Sequence, residues 1–102
     1  MNLKLKTTSL SLNPEVPFSQ LQNEMQSLFN ILDDWQEDNL MSVAGIMHSL
    51  TFPKAGVLSA SSKINEILAE EYRKRHWPVI GGDTSGGQDL VITVTLVGYE
   101  NQ

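Results

Sequence analysis

Leucines near the start of the chain alternate with polar residues in two registers. Leu3 and Leu5 take odd positions, Leu10 and Leu12 even ones, with Thr7, Thr8, Ser9 and Ser11 between them. Period-two alternation predicts a strand over residues 3–12, and the change of parity predicts a bulge or bend near Thr7 and Thr8. Asn13, Pro14 and Pro17 end it, because proline cannot join a central ladder. From Phe18 to Trp35 the apolar residues fall at Phe18, Leu21, Met25, Leu28, Leu32 and Trp35, a heptad stripe that predicts a helix. Phe29 and Ile31 widen the stripe beyond a coiled-coil seam, so this helix is expected to pack on a sheet or on another helix.

The next segment supports two readings. Asp38 or Asn39 could cap a helix from Leu40 to about Leu50 carrying Leu40, Val43, Ala44 and Met47 on one side. Ala44, Ile46, His48, Leu50 and Phe52 also alternate, which predicts a strand through Met47 to Phe52. After Pro53 and Gly56, Ser61 or Ser62 starts a helix whose stripe is Ile64, Ile67, Leu68 and Tyr72 and whose stop is Pro78. Gly81 to Gly87 reads as a loose linker. Leu90 to Tyr99 is the clearest strand, with Leu90, Ile92, Val94 and Leu96 on one side and Val91, Thr93, Thr95 and Val97 on the other.

This order predicts an α+β fold: a small antiparallel sheet with the N- and C-terminal strands adjacent, and two or three helices packed on one face. The 102 residues are expected to form a single compact domain over 1–102. Two strands make a poor independent sheet. Met47 to Phe52, or Val79 with Ile80, could extend it, and otherwise another chain must pair with an edge.

Composition narrows the function classes. An apolar fraction of 40% plus seven glycines is that of a folding chain. No stretch approaches the ~18 apolar residues of a membrane span. Met1 to Ser11 lacks a continuous apolar run, so a cytoplasmic protein without a signal peptide is expected. Zero cysteines remove disulfides, thiol nucleophiles and cysteine zinc sites. The net charge of −5 opposes general nucleic-acid binding. Charge is also uneven: no base occurs between Lys6 and Lys54, while Glu15, Glu24, Asp33, Asp34, Glu37 and Asp38 do. Such polarity could orient a partner or a second copy, although solvated acidic helix faces explain it more simply.

Candidate chemistry is sparse. Gly81 to Gly87 resembles a phosphate cradle in composition, but no lysine follows, a strand follows instead of a helix, and Asp83 would repel a phosphate. Arg73, Lys74, Arg75 and Trp77 join positive charge to an aromatic plane, the pairing that stacks a base; basic residues at a helix C-terminus and a core tryptophan are the plainer account. Asp33 with Glu37 and Asp34 with Asp38 could present oxygen ligands, but a frayed acidic helix end explains them better, and no metal site is expected. His48 and His76 lack a nucleophile motif nearby. An exposed amide face, Gln22, Asn23, Gln26 and Asn30, is cheaper to desolvate than a charged one and could be covered by a partner, with water as its simpler neighbour.

The expectation is a non-catalytic interaction or assembly module, such as an adaptor, inhibitor or subunit. It would be self-associating through a strand edge or the amide face, with itself or another protein as partner. Its alternative is a small nucleic-acid or anion binder using Arg73 to Trp77. No cofactor is expected, and the absence of catalytic motifs leans against an enzyme.

Overall fold

A computed structural model describes residues 2–13, 15–53 and 57–100, with the side chains of 57–61 left aside. The order is β1 (Leu3–Leu12), α1 (Phe18–Asp38), β2 (Met41–Pro53), α2 (Val57–Arg75), β3 (Val79–Gly87) and β4 (Leu90–Glu100). The four strands form one sheet in the order β1-β4-β2-β3. The two terminal strands are adjacent and antiparallel, as the sequence predicts. The sheet as a whole is mixed, because β2 and β3 run parallel through the α2 crossover. The fold is thus α+β with two helices, both contributing to a core that lies on one side of the sheet. No helix among the described residues is long and apolar enough to cross a membrane.

Strand β4 lies between β1 and β2, and its alternation divides the sheet. Leu90, Ile92, Val94 and Leu96 are fully buried beneath the helices. Opposite them α1 presents Leu21, Met25, Leu28, Phe29 and Leu32, and α2 presents Ile64, Ile67, Leu68 and Tyr72. Both stripes are those read from helical spacing.

Three expectations change and one open alternative is decided. Helix α2 starts at Val57, ahead of the Ser61 or Ser62 read from the sequence. The β1 ladder runs without a register shift from Leu3↔Tyr99 to Leu12↔Leu90, so no bulge occurs at Thr7 and Thr8. The parity change instead marks two faces. Leu12 joins the core, whereas Leu3 and Leu5, 64% and 60% exposed, lie on the side away from it. Of the two readings of residues 40–52 the strand holds, as β2 from Met41 to Pro53 with Leu40 in the turn before it, and the helix-like spacing reflects an irregularity between Val43 and Gly45. That bulge is what places Met41 and Ile46, both buried, five positions apart. Gly81 to Gly87 is edge strand β3, paired with Met47 to Pro53, not a linker. Backbone pairing to β2 supplies what its few side chains do not.

Gly45 has a specific requirement. A Cβ there would lie 2.6 Å from Ile80 Cγ2 and 2.8 Å from the Pro78 carbonyl oxygen. That carbonyl accepts the Ile46 N–H at 2.8 Å, so the notch seats the start of β3 against β2.

The helices are joined by Arg75. Its Nε and Nη2 donate to the two carboxylate oxygens of Asp33 on α1, both at 2.8 Å, and Nη1 donates to Glu71 Oε2 at 2.6 Å. The guanidinium carbon lies 4.8 Å from the Phe29 ring centroid and 5.4 Å from that of Trp77. Forked geometry and aromatic stacking are both specific to arginine. Arg75→Ala is therefore expected to cost about 2–3 kcal/mol, less than a fully buried pair because Asp33 keeps some solvent contact. Urea unfolding of the two proteins measures the difference, with Arg75→Lys expected to recover less than half.

Candidate functional site

The sheet face away from the helices carries chemistry in ordered rows. Residues paired across strands share a face, so the registers place Ser9, Thr93, Ser49 and Asp83 in one row crossing all four strands. Ser11, Val91, Thr51 and Ser85 form the next row on one side, and Thr7, Thr95, Met47 and Gly81 the row on the other. Rows are ~7 Å apart along the strands. Hydroxyls link neighbours: Thr7 to Thr95 at 2.9 Å, Ser9 to Thr93 at 2.8 Å and, more loosely, Thr51 to Ser85 at 3.5 Å.

Asp83 is the one carboxylate in these three rows, and none of the twelve row positions carries lysine or arginine. The glycines of β3 keep its surroundings low, since Gly81 flanks Asp83 in the adjacent row. The face is therefore a hydroxyl-rich shelf with a single negative charge near one edge. Beyond the Thr7 row it turns apolar, through Leu5 paired with Val97 and through Ile80, which sits over Gly45 and is 54% exposed.

The residues singled out from sequence lie elsewhere. Trp77 is buried in the core, and Arg75 is held by Asp33 and Glu71. Arg73 pairs with Glu70 and Lys74 with Glu71. These residues therefore form no joint basic and aromatic surface. The local reason is a helix stop. The Trp77 N–H donates to the Tyr72 carbonyl at 3.0 Å and the His76 N–H to that of Arg73 at 3.2 Å, with His76 at φ 57°. This is a Schellman ending, which packs the residue two beyond the cap back onto the helix. Tyr72 and Trp77 five apart before Pro78 were its signal in the sequence.

Gln22, Asn23, Gln26 and Asn30 are exposed on α1, with Gln26 donating to Asn30 at 3.2 Å. Helix α1 continues to Asp38, so its acidic end is not frayed, and Asp33 serves Arg75. Among the described residues no three His, Asp or Glu side chains gather as a metal cluster. The shelf was missed because Thr7, Ser9, Ser11, Thr93 and Thr95 read as the solvent side of two strands. Their same-parity recurrence on strands that pair was the available signal.

His48 lies on the helix side, over β3. Its Nδ1 is 3.0 Å from the Tyr72 hydroxyl, the rings stack at 5.8 Å, and its ring lies 3.1 Å from where a Gly82 Cβ would be. Burial holds the imidazole below its ordinary value and raises the phenol above its own, so Tyr72 O–H donates to a neutral ring.

No protein family matches the chain by sequence, and no curated protein does. Its fold does have counterparts. Thiamine monophosphate kinase from Aquifex aeolicus superposes with a TM-score of 0.76 at 20% identity, over 98% of this chain and 34% of that one. AaThiL complexed with AMPPCP and TMP gives 0.71 at 19%, covering 94% and 31%. Hydrogenase maturation protein HypE in complex with ATP gives 0.69 at 9%, covering 100% and 31%. At these identities the fold is what is shared, and the chain spans about one third of the length of these proteins. The likenesses overturn the expectation of a non-catalytic interaction module and its nucleic-acid alternative. The architecture is one used by kinases and maturation proteins, and the basic stretch behind the alternative is spent on a helix end.

The His48 geometry sets a pH dependence. The folded state binds this proton less well than the unfolded chain, so its contribution is complete above the ordinary imidazole value of 6.5 and is lost as pH falls through the depressed folded value. Chemical denaturation at a series of pH values is expected to show that loss in the parent protein and a flatter acid limb in His48→Gln.

Proposed function

We propose that this chain is a nucleotide-handling unit of an ATP-dependent enzyme, with the open sheet face around Asp83 receiving the triphosphate together with a divalent cation. The observation that carries the reading is the row Ser9, Thr93, Ser49 and Asp83, on a fold shared with proteins crystallised with ATP and with AMPPCP. The donor set fits a hard cation. A magnesium ion is commonly held by one or two carboxylates, waters and the phosphates themselves, so Asp83 with nearby hydroxyls suits it without an all-protein cage. When bound, the ion would neutralise phosphate charge. The cation also answers the repulsion that Asp83 alone would exert on a phosphate. Hydroxyls flanking Asp83 would donate to phosphate oxygens, and the small residues of β3 leave the approach clear.

The chain's third of the length of its counterparts implies that further groups complete a catalytic centre. Those groups would supply the positive side chains that the three rows lack. A cytoplasmic setting, where ATP is abundant, accords with this reading.

Titration calorimetry of the full chain with AMPPCP tests it. Binding is expected only with magnesium present, and Asp83→Asn is expected to weaken it roughly tenfold or more. Magnesium-independent binding, or binding that Asp83→Asn leaves unchanged, overturns the proposal.

A second copy is the partner we favour for the apolar end of the same face. Leu3, Leu5 and Ile80 are 64%, 60% and 54% exposed there, an arrangement that buried surface would relieve. Light scattering is expected to show a dimer that Leu5→Glu converts to monomer while circular dichroism stays unchanged.

A further inference from the structure

Strand β1 is an open edge of the sheet. It stands first in the order β1-β4-β2-β3, so its outer backbone N–H and C=O groups have no ladder partner. Its ladder with β4 has no bulge, and no proline lies within the strand, so two of the devices that usually blunt an edge are missing. Lysine is the third, and β1 has two, both at even positions on the helix side with Leu10 and Leu12. Lys4 pairs with Glu100, whereas Lys6 has no carboxylate partner among the described residues.

A second lone charge overhangs the same edge. At about 100° per residue Glu24, Ile31 and Trp35 share one flank of α1, while Asp33, held by Arg75 of α2, lies on the other. Because α2 crosses between β2 and β3, the Glu24 flank is the one toward the outer side of β1. Helix α1 starts after Leu12 and ends before Met41, which lies at the Leu3 end of the sheet, so it runs back along β1. Glu24, in its second turn, stands ~9 Å from its start, level with Ser9 and Leu10. Its Oε2 is buried and is the one such side-chain oxygen or nitrogen among the described residues without a hydrogen-bond partner. Glu24 as a whole is half-buried, so a small rotation presents that oxygen to a cation arriving at the edge. Ile31 on the same flank is exposed.

We propose that a second copy of this chain docks on this edge, its β1 antiparallel to β1, so that the two sheets become one. The inference rests on the second-copy reading above and adds the edge and the register. A two-fold axis that keeps all helices on one side sets even positions opposite even ones and odd opposite odd. With the axis at Thr8, Lys6 lies opposite the second copy's Leu10, beside the second copy's Glu24, and symmetry repeats the contact. Both unpaired charges are answered twice. An axis at Leu5 or Lys6 sets lysine against lysine, and one at Ser9 carries Lys6 past Glu24 to Leu12. An axis at Thr7 offers Glu24 only Lys4, which Glu100 already holds. In the Thr8 register Leu5 enters the contact opposite the second copy's Ser11, and Ile31 is covered by the opposing α1.

The chain has no cysteine, so a single introduced one reports the register. Thr8→Cys meets its own copy only when the axis passes through position 8, at a Cα spacing that a disulfide spans. Under mild oxidation Thr8→Cys is expected to give a covalent dimer on non-reducing electrophoresis, and Ser11→Cys none. By analytical ultracentrifugation Lys6→Glu and Glu24→Lys are each expected to weaken the dimer roughly tenfold, and their combination to return it to within about threefold of the parent. Cross-linking still reads the register if a charge variant does not fold. Three results with a dimeric parent overturn this register and leave the second-copy reading standing: no cross-link in Thr8→Cys, equal linking in Ser11→Cys, or no recovery in the folded double variant. A monomeric parent overturns both.

Discussion

Everything in this protein follows from one strand having neighbours on both sides and helices on only one face. Strand β4 is paired along its length with β1 and β2, so its odd and even positions must serve different surroundings. Leu90, Ile92, Val94 and Leu96 seat both helices. Thr93 and Thr95, on the other side, become the middle of the hydroxyl rows. The alternation that builds the core is therefore the same one that builds the candidate nucleotide surface, and neither can slip without the other.

The helix layer has its own constraint. Apolar stripes at helical spacing bring α1 and α2 onto the sheet, but a stripe does not set how two helices sit relative to each other. Arg75 does, by spanning from its own helix to Asp33 with a planar fork and lying against Phe29 and Trp77. The acidic and basic parts of the sequence, whose polarity could orient a partner, meet within the chain at one point, Asp33 with Arg75. The Schellman ending after Arg75 then turns the backbone toward β3, so the end of α2, the aromatic cluster and the Gly-rich strand form a continuous segment.

Much of the architecture is legible in the sequence because it rests on local periodicity. The β4 alternation, the α1 stripe from Phe18 to Trp35 and the α2 stripe ending at Tyr72 all appear in the structure as read. What escaped was set by long-range pairing. The bulge between Val43 and Gly45 gave β2 a helix-like spacing beside its strand alternation and left both readings open, and β3 shows no pattern of its own because glycine carries none. Its order depends on β2. The shelf was illegible for the same reason: Ser9, Thr93, Ser49 and Asp83 are far apart in the chain, and only the register of three ladders lines them up. The stretch from Arg73 to Trp77 misled in the opposite direction, since a dense local cluster proved to be a capping device.

The notch at Gly45 has a wider reach than its size suggests. A parallel edge strand rich in glycine could slide past its neighbour with little change in side-chain contact, and each two-residue slip would leave it equally well bonded. Ile80 dropping over a residue without a Cβ acts as a detent that rejects those sliding alternatives. The address of the lone acidic group on the shelf is thus written in Ile80, three residues before it, and in the missing methyl group of Gly45 on the adjacent strand.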